Sequence, residues 1–213
     1  MAEYKVFIFD FDGVVVDSLP LRDQGFYKAF LPYGVDAAKK AYDYHIQTRG
    51  VKRRDKFAQI LGKILEVSYT SQDIDDIESR FAEFIDRGLL DSPLLVDRLQ
   101  LLCLSKNFPV NIVSTAPKEE VLKLAKHAGI VSFFRRIYGG SDTKYTHIDL
   151  IIDELQCPRN QVVFVGDSYK DYEAAVKSKV NFIGIVKKNN NSVFPDKVET
   201  FESLSDFIKQ LNF

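Results

Sequence analysis

The feature that most limits how this chain can fold is a short apolar run abutting two acids. Tyr4 to Phe9, with Lys5 near its start, leads straight into Asp10-Phe11-Asp12-Gly13. Apolar residues at consecutive positions leave a strand no wet face. Such a strand must be covered on both sides, as in a parallel sheet between helices. The carboxylates then lie just past its carboxyl end, the edge where open α/β sheets bind ligands. Gly13 permits a tight loop and a close backbone approach. Asp-x-Asp-Gly alone also suits a solvated turn. A calcium loop needs more oxygen ligands and a glutamate about twelve residues in. Val14, Val15 and Val16 fill that region instead.

After the first strand the pattern turns helical for about seventy residues. Phe26, Ala29 and Phe30 fall at helical spacing, and Pro32-Tyr33-Gly34 breaks the run. Ala37, Ala38, Ala41, Tyr42, His45 and Ile46 mark a second helix, which Gly50 ends. Phe57, Ile60, Leu61, Ile64 and Leu65 mark a third. Ser71 reads as the N-cap of a fourth, carrying Ile74, Ile77, Phe81, Phe84 and Ile85. From Leu89 strands and helices alternate. Pro93 opens a helix with Leu95, Leu99, Leu102 and Cys103, and Pro109 to Ser114 is a strand. A helix follows Pro117, Ile137-Tyr138-Gly139 is a weak strand, and residues 143–155 are helical. Val162 to Gly166 is a clear strand followed by a helix with Tyr172, Ala174, Ala175 and Val176. Asn181 to Val186 is the fifth strand, Lys187 to Asn191 a solvated loop, and Leu204 to Leu211 a last helix. Such alternation predicts an α/β fold: a Rossmann-like parallel sheet flanked by helices, with an inserted all-helical domain. The predicted boundaries are 1–16 with 88–213 for the sheet and 17–87 for the insertion.

The chain has 213 residues, 46% hydrophobic, and a formal net charge of −1. That composition supports a sizeable core, and it lacks the basic field that recruits nucleic acid or an anionic membrane. The two cysteines, Cys103 and Cys157, form no Cys-x-x-Cys pair, which fits a reducing cytoplasm. Asp10 and Asp12 interrupt the N-terminal apolar run, so neither a signal peptide nor a membrane span is expected.

Polar residues recur where the later strands end. Ser114-Thr115 follows the second, Gly139-Gly140 the third on the way to Lys144, and Gly166-Asp167 the fourth, with Asp171 one helical turn on. The topology collects these with Asp10 and Asp12 at one sheet edge. Clustered carboxylates repel one another, and a hard divalent cation such as Mg2+ relieves the repulsion. An ionised aspartate can attack phosphorus, and a second carboxyl can move the proton. A lysine and a hydroxyl can hold phosphoryl oxygens. His45, His127 and His147 form no ligand pattern; surface or insertion-packing roles are expected of them.

The four segments Asp10 to Ser18, Val113-Ser114-Thr115, Gly139 to Lys144 and Gly166 to Asp171 resemble, in order and spacing, the four motifs of the haloacid dehalogenase superfamily. The subgroup most resembled holds phosphoglycolate phosphatases and β-phosphoglucomutases, and the insertion resembles its helical cap. The resemblance implies a magnesium-dependent phosphatase of a small-molecule phosphate ester, working through a phosphoaspartyl intermediate. Asp10 would be nucleophile and metal ligand. Asp12 would be general acid/base and give the metal its backbone carbonyl. Ser114 and Thr115 would hold the phosphoryl group, Lys144 would neutralise charge beside Asp10, and Asp167 and Asp171 would serve the metal. The stretch Arg49 to Asp55 resembles the mutase's cap loop, which makes Gly50 and Arg53 candidates for substrate contact. Arg22, however, stands where the mutase has histidine, and Tyr145-Thr146-His147 follows the lysine where many relatives have proline. A phosphomutase, and a non-catalytic binding protein on the same fold, are the alternative readings. Monomer and homodimer are equally compatible with the sequence.

Overall fold

A computed structural model describes residues 4–140, 142–188 and 190–211. The chain divides into two compact units, one formed by the segments up to Asp17 and from Pro93 onward, the other by Ser18–Ser92.

The first unit holds six parallel strands in the order β3-β2-β1-β4-β5-β6. They are β1 (Val6–Phe9), β2 (Val110–Val113), β3 (Arg136–Tyr138), β4 (Val162–Gly166), β5 (Asn181–Ile185) and β6 (Thr200–Phe201). The helices of this unit are α5 (Arg98–Asn107), α6 (Lys118–His127), α7 (Lys144–Leu155), α8 (Tyr169–Ser178) and α9 (Leu204–Gln210). β1 is fully buried, as its unbroken apolar run requires. Ile8 and Phe164 join Ile148 and Ile151 of α7 and Ala174 and Ala175 of α8 in one core cluster. Phe7 instead packs against Phe108 and Phe207, at 5.3 and 6.4 Å between ring centres. Period-two alternation thus gives each face of the strand its own helical layer. The sheet grows from β1 to β3 on one side and from β4 to β6 on the other. Its order therefore reverses between β1 and β4, the position at which open α/β sheets bind ligands.

The second unit contains α1 (Leu19–Phe30), α2 (Val35–Gln47), α3 (Arg53–Gln59) and α4 (Ser71–Gly88). Its core is aromatic: Phe26 lies 5.2 Å from Phe57 and 5.3 Å from Phe81. A Cβ at Gly25 would stand 2.8 Å from the Phe81 ring, so α1 and α4 meet where a side chain is missing. This unit keeps the turn Leu89–Asp91, whose Leu89 is fully buried.

Several local expectations are corrected. α4 is capped by Thr70, not Ser71, through a reciprocal box with Asp73. The Pro93 helix begins only at Arg98, capped by Asp97, because Leu94 bridges Val16 and the Leu95 N–H donates to the Val15 carbonyl. The third helix ends in a π-turn, Ile60–Ile64. β6, two residues long, gave no periodic signal. Lys187 is not simply solvated, since its Nζ lies 2.7 Å from Asp17 Oδ1. Among the described residues no helix is long and apolar enough to cross a membrane.

Candidate active site

Asp10 follows β1 directly. Its N–H donates to the Val165 carbonyl (2.9 Å), which extends the β1–β4 pairing past the end of the strand. The chain then turns sharply. Gly13 sits at φ 83° and its N–H donates to the Val16 carbonyl (2.8 Å), while the Val15 and Val16 N–H groups both reach the Phe11 carbonyl. Val14, Val15 and Val16 are fully buried, so this loop is pinned by packing, and it carries the half-buried Asp12.

Lys144, at the start of α7, joins two acids. Its Nζ lies 2.8 Å from Asp10 Oδ2 and 2.5 Å from Asp171 Oδ1. The other oxygen of Asp171 accepts from the Ser168 N–H (3.0 Å) and hydroxyl (2.6 Å). Ser168 and Asp171 form the capping box of α8, so cap chemistry and site chemistry share one carboxylate. Gly166 makes this possible: a Cβ there would fall 2.3 Å from Asp171 Cβ. Asp167 precedes the helix, so it joins Asp171 through this turn and not by sharing a helix face. One carboxylate oxygen each from Asp10, Asp167 and Asp171 lie within 4.8 Å of one another. The metal contribution expected of Asp12 is a backbone carbonyl and lies outside that grouping. Ser114, 1% exposed, follows β2; its N–H donates to the Tyr138 carbonyl and its Oγ accepts from the Ala116 N–H, both at 3.0 Å. Thr115 is next to it and half-buried.

The electrostatics follow from burial and an uneven charge count. Burial raises the Asp10 carboxyl well above its ordinary range; Lys144 opposes that rise, and Asp171 and Asp167 add to it. Burial works against the Lys144 charge, but Asp10 and Asp171 outweigh it and hold its proton more tightly than usual. Three carboxylates around one ammonium leave an excess of negative charge and hard oxygen donors, which suits a divalent cation.

The haloacid dehalogenase-like hydrolase model matches residues 7–185, spanning both units. The chain belongs to that family. This hydrolase is 24% identical to the phosphoglycolate phosphatase of Escherichia coli K12, over 95% of its own length and 90% of the relative's. Its fold is similar to that of a haloacid dehalogenase-like hydrolase from Bacteroides fragilis, with a TM-score of 0.79 and 21% identity over 96% and 99% of the two chains. It is also similar to CbbY from Rhodobacter sphaeroides, solved with phosphate, with a TM-score of 0.73 and 19% identity over 95% of each chain.

The two remaining candidates of the hydrolase lie in its helical unit. Gly50 takes φ 79° after α2. Arg53 has Nη2 3.6 Å from Glu78 Oε1, and its guanidinium stands 4.6 Å over the Phe81 ring. The neighbouring Arg49 and Arg54 pair with Asp23 and with Asp75 and Glu78. His147 corrects the surface-or-insertion expectation: it is buried in the sheet unit, one turn after Lys144, and stacks on Tyr138. Sequence reasoning also missed Ser168, although Ser-x-x-Asp at the head of a helix is a readable capping signal. Tyr138 carried no such signal, because its neighbours come from distant segments.

Proposed function

We propose that this hydrolase is a magnesium-dependent phosphatase of small phosphate esters, acting through a phosphoaspartyl intermediate on Asp10. The observation that carries the reading is the buried Asp10 carboxylate, paired with Lys144 and grouped with Asp167 and Asp171 at the switch point of the sheet. Asp10 Oδ attacks phosphorus as the ester P–O bond breaks, and Asp12 gives its proton to the leaving oxygen. Asp12 then takes a proton from water, whose oxygen attacks the acyl phosphate, releasing phosphate and restoring Asp10. Ser114 and Thr115 bind phosphoryl oxygens, and Lys144 offsets the charge that gathers beside Asp10. Mg2+, held by Asp10, Asp167, the Asp12 carbonyl and the shell that Asp171 orients, would neutralise phosphoryl charge and keep Asp10 ionised. The activity printed for the E. coli relative and the phosphate in the CbbY structure support phosphate chemistry. To the helical unit we assign the part of a cap that selects substrate, with Gly50 and Arg53 as its candidates.

The test is phosphate release from a panel of small phosphate esters, with Mg2+ and then with EDTA, by the wild type and Asp10→Asn. Release that needs Mg2+ and vanishes in the variant supports the proposal. Isomerisation of a sugar phosphate without release would replace it with a mutase. A folded protein silent in both assays would leave a binding protein.

A further inference from the structure

The site has a mechanical weakness on one side. β3 is three residues long and, among the described residues, lies at the sheet edge, paired to β2. The chain leaving it passes through Gly139 and Gly140, the latter at φ 99°, before α7 presents Lys144. Two consecutive glycines transmit position poorly, and a lysine side chain is a flexible four-carbon stem. Yet Lys144 Nζ sits within hydrogen-bond reach of both Asp10 and Asp171.

A side-chain contact spans the glycines. The ring of Tyr138, the last residue of β3, stacks on that of His147 with centres 4.8 Å apart and planes 19° off parallel. His147 is 4% exposed and lies in the first turn of α7, its N–H donating to the Thr143 carbonyl (3.3 Å). The Thr143 and Thr146 hydroxyls, 2.7 Å apart, close the same turn. The backbone of Tyr138 faces the other way, and its carbonyl accepts the Ser114 N–H at 3.0 Å. A Cβ at Gly139 would stand 2.6 Å from the Ala116 carbonyl oxygen, so the exit of β3 is pressed onto the Ser114 loop. One residue therefore touches both arms of the site.

We infer that Tyr138 is a positioning residue, its carbonyl fixing Ser114 and its ring, through His147, fixing the helix start that aims Lys144 at Asp10. The role of these two arms in phosphoryl transfer rests on the phosphatase reading; the mechanical coupling does not.

Two readouts test it. In steady-state kinetics on the best ester of the panel, Tyr138→Phe and His147→Phe keep a ring and stay within about twofold of wild type. Tyr138→Leu and His147→Ala lower kcat about 3- to 10-fold with KM unchanged, the range expected from losing one aromatic pair. The double variant Tyr138→Leu/His147→Ala is no worse than either single one, because both remove the same contact. The second readout is hydrogen exchange at the Ser114 amide, which His147→Ala speeds although His147 does not hold that amide. Equal losses for Phe and Leu at 138, additive losses, or Ser114 exchange unmoved by His147→Ala would each overturn the inference. If Tyr138→Leu does not fold, the His147 variants decide the matter. A wild type that releases no phosphate sinks the phosphatase reading alone, and the exchange experiment still judges the coupling.

Discussion

Each unit buries a cluster of charged groups, and the two are unbalanced in opposite directions. At the sheet edge, Asp10, Asp167 and Asp171 surround one lysine. In the helical unit, Arg49, His45 and Lys56 surround the Asp23 carboxylate. Arg49 Nη2 is 2.8 Å and His45 Nε2 3.1 Å from its oxygens, and Lys56 Nζ is 2.9 Å from His45 Nδ1. His45 also stacks on Phe26, with ring centres 3.9 Å apart. The basic excess relieves itself by losing protons. Burial, and then the charge of Arg49, bring Lys56 down to about 7, and burial brings His45 down to about 4. Burial opposes the Asp23 charge, but His45 and Arg49 outweigh it and hold that carboxyl below its ordinary value. A network of this kind can balance its own charge by losing protons. The acidic excess could also shed charge, by protonating Asp10, but in the proposed mechanism Asp10 attacks as a carboxylate, and a cation from outside would keep it ionised. We therefore assign the cluster that its own protons can balance to structure, and the one that would take a cation to the proposed chemistry.

That contrast can be broken most directly by exchanging one carboxylate in each cluster. Asp10→Asn should lower turnover by at least ~10^4-fold, as when a covalent nucleophile is lost, with little change in unfolding midpoint. Asp23→Asn should do the reverse: it leaves buried basic groups uncompensated and costs about 3 kcal/mol in urea unfolding, with kcat per folded molecule nearly unchanged. A kcat loss at Asp23 comparable to that at Asp10 would erase the distinction. Mg2+ at about a hundred times its dissociation constant should add about 2.7 kcal/mol to calorimetric stability, and Asp167→Asn should abolish that gain. The mildest effect is on pH dependence. The folded state holds Lys56 at about 7 against an ordinary 10.5, so the unfolded chain binds the extra proton between those values. Stability should therefore rise with pH from 7 toward 10.5, by up to about 1.4 kcal/mol per unit, and Lys56→Met should flatten the slope. His45, about 4 folded against 6.5, should add a fall in stability as pH drops from 6.5 to 4. A slope unaltered in Lys56→Met would mean that the lysine keeps its proton.

Much of the acid-bearing sheet edge could be read along the chain because its signals are local. An apolar run that stops at Asp10, another that stops at Ser114 and a third that stops at Gly166-Asp167 each declare a buried strand and its exit. Parallel pairing then brings those exits to one edge without further information. The family motifs lie on the same exits. Local patterns failed where the deciding contact was remote. Pro93 looks like a helix start until Val15 and Val16 claim the next two residues for pairing. The cap of α4 is a different case, since the bond that favours Thr70 over Ser71 is local, a reciprocal box with Asp73 three residues on.

The alternation of strands and helices, the expectation of an inserted helical segment and the candidate acids at the strand ends are read from the sequence, since hydrophobic periodicity and strand-end chemistry act over a few residues; the strand order and β6 are not. Tertiary structure alone decided that Lys144 bridges Asp10 and Asp171, that Tyr138 spans Ser114 and His147, and that His45 and Lys56 share a buried network with Asp23. Each of these joins residues 9 or more positions apart in the chain, and contacts of that kind are set by register, helix start and packing, none of which a single stretch of sequence contains.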